Sequence, residues 1–149
     1  MDKESFVYVI YIATTPEKVW QALLDGELTR QYWQHEQLSD WKPGSPWQLI
    51  ANDGKGTVRH VGEVLETIPN TRLMMTWADP AEGADKTKHT RVAIDIVKVG
   101  EMVRLTVTHT DLGPDMQRKI TYGWPIVLSS LKSFLETGRT FDIWNCIAS

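Results

Sequence analysis

The sequence has little cysteine, no excess of positive charge and no long apolar run, and each of these features excludes a class of protein. One cysteine, Cys146, among 149 residues excludes an internal disulfide framework and fits a reducing cytoplasm. The net charge of −3 argues against a nucleic-acid partner. The longest apolar run, Phe6 to Ala13, is too short to span a membrane. The opening "MDKESF" does not have the pattern of a secretory signal, so we expect a cytoplasmic protein.

Motifs for catalysis and for metal or nucleotide binding are also missing. The chain contains no G-x-S-x-G, no H-E-x-x-H and no Walker A sequence. His60 and Glu63 are three residues apart on a predicted strand, so their side chains face opposite sides. The glycines of "GKG" at 54–56 are typical of a hairpin turn rather than a dinucleotide loop. We therefore expect no catalytic residue, no metal ligand and no cofactor.

Tryptophan, in contrast, is abundant. The chain has seven Trp and only three Phe, in a composition that is 42% hydrophobic and 23% charged and therefore globular. A buried indole needs an acceptor for its N–H group. The tryptophans therefore either fill the core or line a wide, amphipathic ligand pocket. With no linker or repeat in the sequence, we expect one domain over residues 1–149.

The apolar periodicity predicts an order of strand, two short helices, about six strands and a long C-terminal helix. The first helix is capped by Thr14 or by Thr15 with Pro16 next, and it ends at Gly26 in the left-handed conformation. The second short helix is predicted over Glu27 to Trp33. The predicted strands are Phe6 to Ile12, Gln37 to Trp41, Trp47 to Ala51, Thr57 to Ile68, Arg72 to Ala78, Thr90 to Val97 and Met102 to Thr110. Such an order predicts an α+β fold in which a curved antiparallel sheet wraps the long helix.

The last two strands give the most specific pairing. A two-residue loop, Gly100-Glu101, fits a type II′ turn, and it places Ile94 opposite Val107 and Val92 opposite His109. In this register the apolar residues of both strands share one face.

The long helix follows "LGP" at 112–114 and ends at Gly138. Pro125 lies inside its apolar pattern, so we expect either a kink there or a helix that truly starts there. Gly123 would let the helix approach the sheet closely. We expect the tail residues Phe141, Ile143 and Trp144 to dock on the body of the protein.

Five segments, in this order, resemble the family of activators of heat-shock-protein-90 ATPase homologues. They are "IATTPEKVWQALLDGELTRQYW", "WKPGSPWQL", "GEVLETIPNTRLMMTW", "LTVTHTDLG" and "GWPIVLSSLKSFLETG". That family belongs to the START-like, helix-grip superfamily, which includes the birch-pollen allergen. The resemblance implies a helix-grip fold of about six to seven strands, with a deep cavity between the long helix and the sheet. Nothing in the sequence matches the additional chaperone-binding domain of the eukaryotic co-chaperone.

The inward faces of the predicted elements supply the candidate ligand contacts. Trp124 is the strongest of these, and His109 is the polar point that we expect inside the cavity. The full set is Tyr8, Trp33, Trp47, His60, Met75, Trp77, Val92, Ile94, Leu105, Val107, His109, Trp124, Val127, Leu128 and Leu131. Each of these residues is equally suited to a solid core. Glu66 is expected in solvent, and His35 and His89 are expected at the surface.

Three functions fit these residues. In the first, the protein carries or senses a small hydrophobic or aromatic molecule in the cavity between helix and sheet. In the second, it is a co-chaperone-like module that binds another protein through an exposed apolar patch. In the third, it is a cyclase or hydrolase that uses His60, His109 or Glu66. The sequence predicts neither a nucleic-acid nor a membrane partner, and it fits a monomer or a homodimer.

Overall fold

A computed structural model describes residues 4–143, which form an α+β helix-grip fold. The helices are α1 (Pro16–Leu24), α2 (Gly26–Tyr32) and α3 (Pro114–Thr137). The strands are β1 (Glu4–Ile12), β2 (His35–Ser39), β3 (Pro46–Ala51), β4 (Val58–Ile68), β5 (Arg72–Trp77), β6 (Thr90–Val99) and β7 (Met102–Leu112). Two single 3-10 turns, Pro80–Glu82 and Lys86–Lys88, connect β5 to β6.

The strands within residues 4–143 form one curved antiparallel sheet in the order β1-β7-β6-β5-β4-β3-β2. The pairing of β6 with β7 is the predicted one, with Ile94 opposite Val107 and Val92 opposite His109. Gly100 has a φ of 60° and Glu101 does not have a positive φ, as a type II′ turn requires. The core lies between α3 and the inner face of this sheet.

The start of α1 confirms one of the two predicted caps. Thr15 is the N-cap and its side chain accepts a hydrogen bond from the Lys18 N–H, with Pro16 as the first helical residue. The predicted end of α1 at Gly26 is wrong. Asp25 ends α1 and also caps α2 by accepting from the Glu27 N–H at 2.9 Å, so Gly26 is the first residue of the next helix.

The long helix also differs from the prediction in part. It runs unbroken through Pro125, so a true start at that residue is wrong, whereas a bend there stays a prediction. Pro114 occupies the first turn, where a missing N–H costs nothing, and starts the helix. A Cβ added at Gly123 would meet no atom within 4 Å, so this glycine does not serve a close approach to the sheet. Gly138 ends the helix with a φ of 80°, as predicted.

Several predictions for histidines and for tail residues need correction or fall outside the described residues. His35 and His89 are buried, not at the surface. His35 lies on β2, which begins at this residue, and His89 hydrogen-bonds to both Thr76 and Gly83. In the tail Ile143 is buried as predicted, but Phe141 is 49% exposed. Trp144 and Cys146 lie outside the described residues.

Candidate functional site

Six of the candidate ligand contacts come together on the inner face of the sheet. We call them the aromatic cluster: Trp33, Trp47, Trp77, Trp124, His60 and His109. The remaining aliphatic candidates and Met75 are buried in the core around this cluster. Tyr8 is partly buried, packs against the core and stacks on Phe6. The alternation of inward residues along neighbouring strands, together with the apolar stripe of α3, produces this convergence.

Trp77, at the end of β5, is the centre of the aromatic cluster. The centroid of its ring lies 4.6 Å from that of Trp47 and 5.5 Å from that of Trp124. Its distances to the rings of Trp33, His60 and His109 are 6.2, 4.9 and 5.8 Å. Each such pair contributes about 0.5–1.5 kcal/mol beyond the burial of its area. The cluster is therefore a closely packed set of rings.

Gly62 on β4 explains how Trp47 and Trp77 can meet although a strand separates them. Gly62 pairs with Trp47 on one side. On the other side Val61 pairs with Ala78, which places Gly62 next to Thr76 and Trp77. A Cβ at this position would lie 1.9 Å from the Thr76 carbonyl oxygen. Because no side chain fits at this position, the indoles of Trp47 and Trp77 contact each other across β4.

His109 is held by hydrogen bonds at both of its ring nitrogens. The Trp124 indole N–H donates to Nδ1 at 3.1 Å. Nδ1 is therefore the unprotonated nitrogen, and Nε2 carries the proton and donates to the Thr90 hydroxyl at 2.7 Å. That hydroxyl in turn donates to the Trp77 carbonyl at 2.7 Å. Every member of this chain has a partner, so His109 has no nitrogen left for a ligand.

Burial keeps this imidazole neutral. Desolvation, assisted by the nearby charge of a protonated His60, lowers the pKa of His109 from 6.5 to about 3. The neutral state is also the one that the hydrogen bond from Trp124 requires, since a protonated ring has no acceptor nitrogen.

His60 is placed differently, although its ring also lies against Trp77. Its Nδ1 is buried and has no hydrogen-bond partner among the described residues. The nearest carboxylate oxygen, on Asp79, is 3.9 Å away. Desolvation lowers the pKa of His60 to about 4, against the opposing effect of the Asp79 charge. Its side chain is 24% exposed, so it is the point at which the aromatic cluster reaches solvent.

Several polar residues that support the cluster were not among the candidates. Thr90 links His109 to the backbone of β5, and Gln37 accepts from the Trp47 indole N–H at 2.8 Å. The Gln37 amide also donates to the Leu23 carbonyl. The sequence does hold one signal for them, because Gln37 alternates with the buried His35 along β2 and Thr90 shares the inward parity of Val92.

The remaining candidates for chemistry do not join the cluster. Glu66 is exposed, as predicted, and pairs with Arg72 at 2.7 Å. Within residues 4–143 no group of three or more His, Cys, Asp or Glu side chains is placed to hold a metal ion. None of the helices in the same residues is both long enough and apolar enough to cross a membrane.

Two pockets lie outside the aromatic cluster. One, of about 380 Å³, lies between the start of β3, the middle of β4 and the loop after β5, where Lys86 and Glu63 form an ion pair. The other, of about 220 Å³, lies over β5, β6 and β7 beside Arg72 and Arg91. None of the candidate ligand contacts lines either pocket.

Comparison with known proteins agrees with this architecture. The model of a family described as Activator of Hsp90 ATPase homolog 1-like protein matches residues 13–136. No curated protein matches the sequence. CalU16 from Micromonospora echinospora has a similar structure, at 20% identity over 91% of this chain and 78% of that chain, with a TM-score of 0.73.

Two further solved structures are similar. One is the Aha1 dimer from Colwellia psychrerythraea, at 22% identity over 91% of this chain and 98% of that chain, with a TM-score of 0.76. The other is PFC0360w, an HSP90 activator from Plasmodium falciparum, at 20% identity over 88% of this chain and 95% of that chain, with a TM-score of 0.71. At these identities the similarity establishes the fold.

Proposed function

This chain belongs to the family of Activator of Hsp90 ATPase homolog 1-like proteins, and from its aromatic cluster we propose that it binds a small, flat aromatic molecule against Trp77. One observation carries the proposal: four indoles and two imidazoles converge on the inner face of the sheet, where aliphatic side chains would suffice to fill a core. Small-molecule sites are lined by just such aromatic side chains with a few polar groups.

The packing of the aromatic cluster indicates how a ligand binds. The molecule enters beside His60, the exposed edge of the cluster. The molecule displaces one of the rings that contact Trp77 and takes the place of that ring against the indole. Since an aromatic pair is worth about 0.5–1.5 kcal/mol, the exchange favours aromatic ligands over aliphatic ligands of the same size.

The test uses 2-methylnaphthalene and protein labelled with ¹⁵N. In a titration followed by ¹H–¹⁵N NMR, we expect saturable shifts of the indole N–H signals of Trp47, Trp77 and Trp124. Trp41, whose indole is outside the cluster, is the internal control. Trp77→Phe should weaken binding by about 2- to 10-fold, the equivalent of one aromatic pair, and Trp41→Phe should not change it. The absence of any saturable shift up to the solubility limit would refute the proposal.

A second function is favoured by a different surface. Val7, Val9 and Tyr11 on β1 are exposed side by side on the outer face of the sheet, a pattern found at protein-binding surfaces. A similar fold occurs in a protein described as an HSP90 activator. The test is the ATPase rate of purified Hsp90 with and without this chain. Stimulation that is lost in the triple variant Val7→Thr, Val9→Thr, Tyr11→Thr would support a co-chaperone function, and an unchanged rate would exclude it.

A further inference from the structure

We propose that the aromatic molecule bound in the cluster carries a hydroxyl group and that His60, not His109, accepts its hydrogen bond. The inference rests on the proposed function, since it names the chemistry of the same ligand. It starts from a contrast between two imidazoles that lie on the same indole: their ring centroids are 4.9 and 5.8 Å from that of Trp77.

His109 is excluded as the polar contact because its hydrogen bonds are complete. A ligand that bonded to it would have to take the place of either the Trp124 indole or the Thr90 hydroxyl. Displacing Trp124 would leave its buried indole N–H without an acceptor, and displacing Thr90 would leave its buried hydroxyl oxygen without a donor, at a cost of about 1–3 kcal/mol. The bond that the ligand gains would not offset that cost.

The surroundings of His60 determine which of its nitrogens carries the proton. An oxygen acceptor, the Asp79 carboxylate, lies 3.9 Å from Nδ1. It favours a proton on Nδ1. In the neutral ring Nε2 then carries the lone pair. His60 therefore presents an acceptor nitrogen at the exposed edge of the aromatic cluster.

An acceptor of this kind selects a donor. A ligand carboxylate or ketone offers no proton to Nε2, whereas a phenolic or other hydroxyl group does. A flat ring that stacks on Trp77 brings substituents on its edge towards His60, because the two rings are in contact. The ligand class is thus a hydroxylated aromatic molecule, with His60 as its hydrogen-bonding residue and Asp79 as the residue that positions the imidazole.

The test compares 2-naphthol with 2-methylnaphthalene, which have the same shape and differ in OH against CH₃. Calorimetric or NMR titration of the wild-type protein should give a Kd for 2-naphthol that is about 2- to 10-fold lower, the value of one net hydrogen bond. His60→Phe should abolish this preference, so that the two probes bind with equal Kd. Glu66→Gln, an exposed neighbour on the same strand, should keep both values.

A second measurement does not depend on how well the variant folds. The ¹⁵N shifts of the wild-type imidazoles report which nitrogen is protonated. We expect the Nδ1–H form for His60 and the Nε2–H form for His109, and 2-naphthol alone should shift the Nε2 signal of His60. Equal affinity for the two probes, a preference that survives in His60→Phe, or the opposite tautomer at His60 would overturn this inference while the proposed function stands. If neither probe binds, the proposed function itself fails.

Discussion

His109 and its two partners show how a single polar side chain can be accommodated in an aromatic core. The imidazole is fully buried, yet it accepts from Trp124 and donates to Thr90, so no polar atom of this group lacks a partner. The neutral state on which the arrangement depends follows from the burial that lowers the pKa of His109. A histidine here is thus a structural residue that joins α3 to β6 and β5.

Breaking this chain of hydrogen bonds should destabilise the protein. His109→Phe retains a ring of similar size but leaves the Trp124 indole N–H without its acceptor. Thr90→Val leaves the His109 Nε2–H without its acceptor and removes the hydroxyl hydrogen bond to the Trp77 carbonyl. We expect each variant to lower the free energy of unfolding in urea by about 1–3 kcal/mol. Thr108→Val, on the outer face of β7, is the control and should change it by less than about 0.5 kcal/mol. Equal losses in all three variants would mean that the hydrogen bonds do not matter.

The pairing of β4 with β5 depends on the absence of a side chain at Gly62. A Cβ there would lie 1.9 Å from the Thr76 carbonyl oxygen, which belongs to the backbone and cannot move without breaking the strand pair. Gly62→Ala should therefore be among the most destabilising single changes, at about 3 kcal/mol or more in urea unfolding. It should also separate Trp47 from Trp77 and change the near-ultraviolet circular dichroism.

Gly123 on α3 provides the matched control for this substitution. It lies in the interior of a helix with nothing within 4 Å of an added Cβ. Gly123→Ala should therefore raise the free energy of unfolding by about 0.5–1 kcal/mol through helix propensity alone. If Gly62→Ala is as stable as the wild-type protein, our account of how the two indoles meet is wrong.

The elements that repeat a strong local pattern could be predicted from the sequence. The β6–β7 hairpin follows from Gly100 in the turn and from the alternation of Ile94 and Ile96, and its register is the observed one. The end of α3 follows from Gly138. Such signals lie within a few residues of one another, so no knowledge of tertiary contacts is needed to interpret them.

The predictions that failed depend on contacts between distant segments. Gly26 has the sequence signature of a helix end, but it begins α2, where β2 packs so closely that an added Cβ would lie 2.8 Å from Glu36 Cγ. The burial of His89 depends on Thr76, thirteen residues away, which supplies a hydrogen bond to it. The convergence of the candidate site residues could be anticipated from strand parity. The difference in hydrogen bonding between His60 and His109 could not be anticipated, because it depends on Thr90, Trp124 and Asp79.

Considered as a whole, the protein keeps several neutral histidines inside. Burial lowers the pKa of His60 to about 4 and that of His109 to about 3, and it lowers the pKa of His35 as well. Arg59 acts in the same direction on His35, and Lys119 acts in the same direction on His60. Asp79 opposes the shift at His60, as Asp53 and the Trp33 carbonyl do at His35. The folded chain therefore resists protonation in mild acid.

This resistance predicts that stability falls as the pH is lowered from 6.5 towards 4. The unfolded chain takes up protons on these histidines near pH 6.5, whereas folded His60 and His109 do so only at about 4 and about 3. Between those values the unfolded state binds more protons, so the free energy of unfolding decreases with falling pH. Each such histidine contributes a slope of up to about 1.4 kcal/mol per pH unit.

The measurement is urea unfolding at several pH values between 7 and 4. The hydrogen bond with Thr57 lowers the pKa of Asp53 to about 2, so Asp53 stays ionised throughout this range and does not contribute to the change in stability. His60→Phe removes one of these titrating groups and should reduce the slope between pH 6.5 and 5 relative to wild type. Glu66→Gln, which leaves every histidine in place, should keep the wild-type slope. A wild-type stability that is constant from pH 7 to 5 would show that these imidazoles take up protons over the same pH range in the folded protein as in the unfolded chain, and the neutral states assigned to His109 and His60 would then both be wrong.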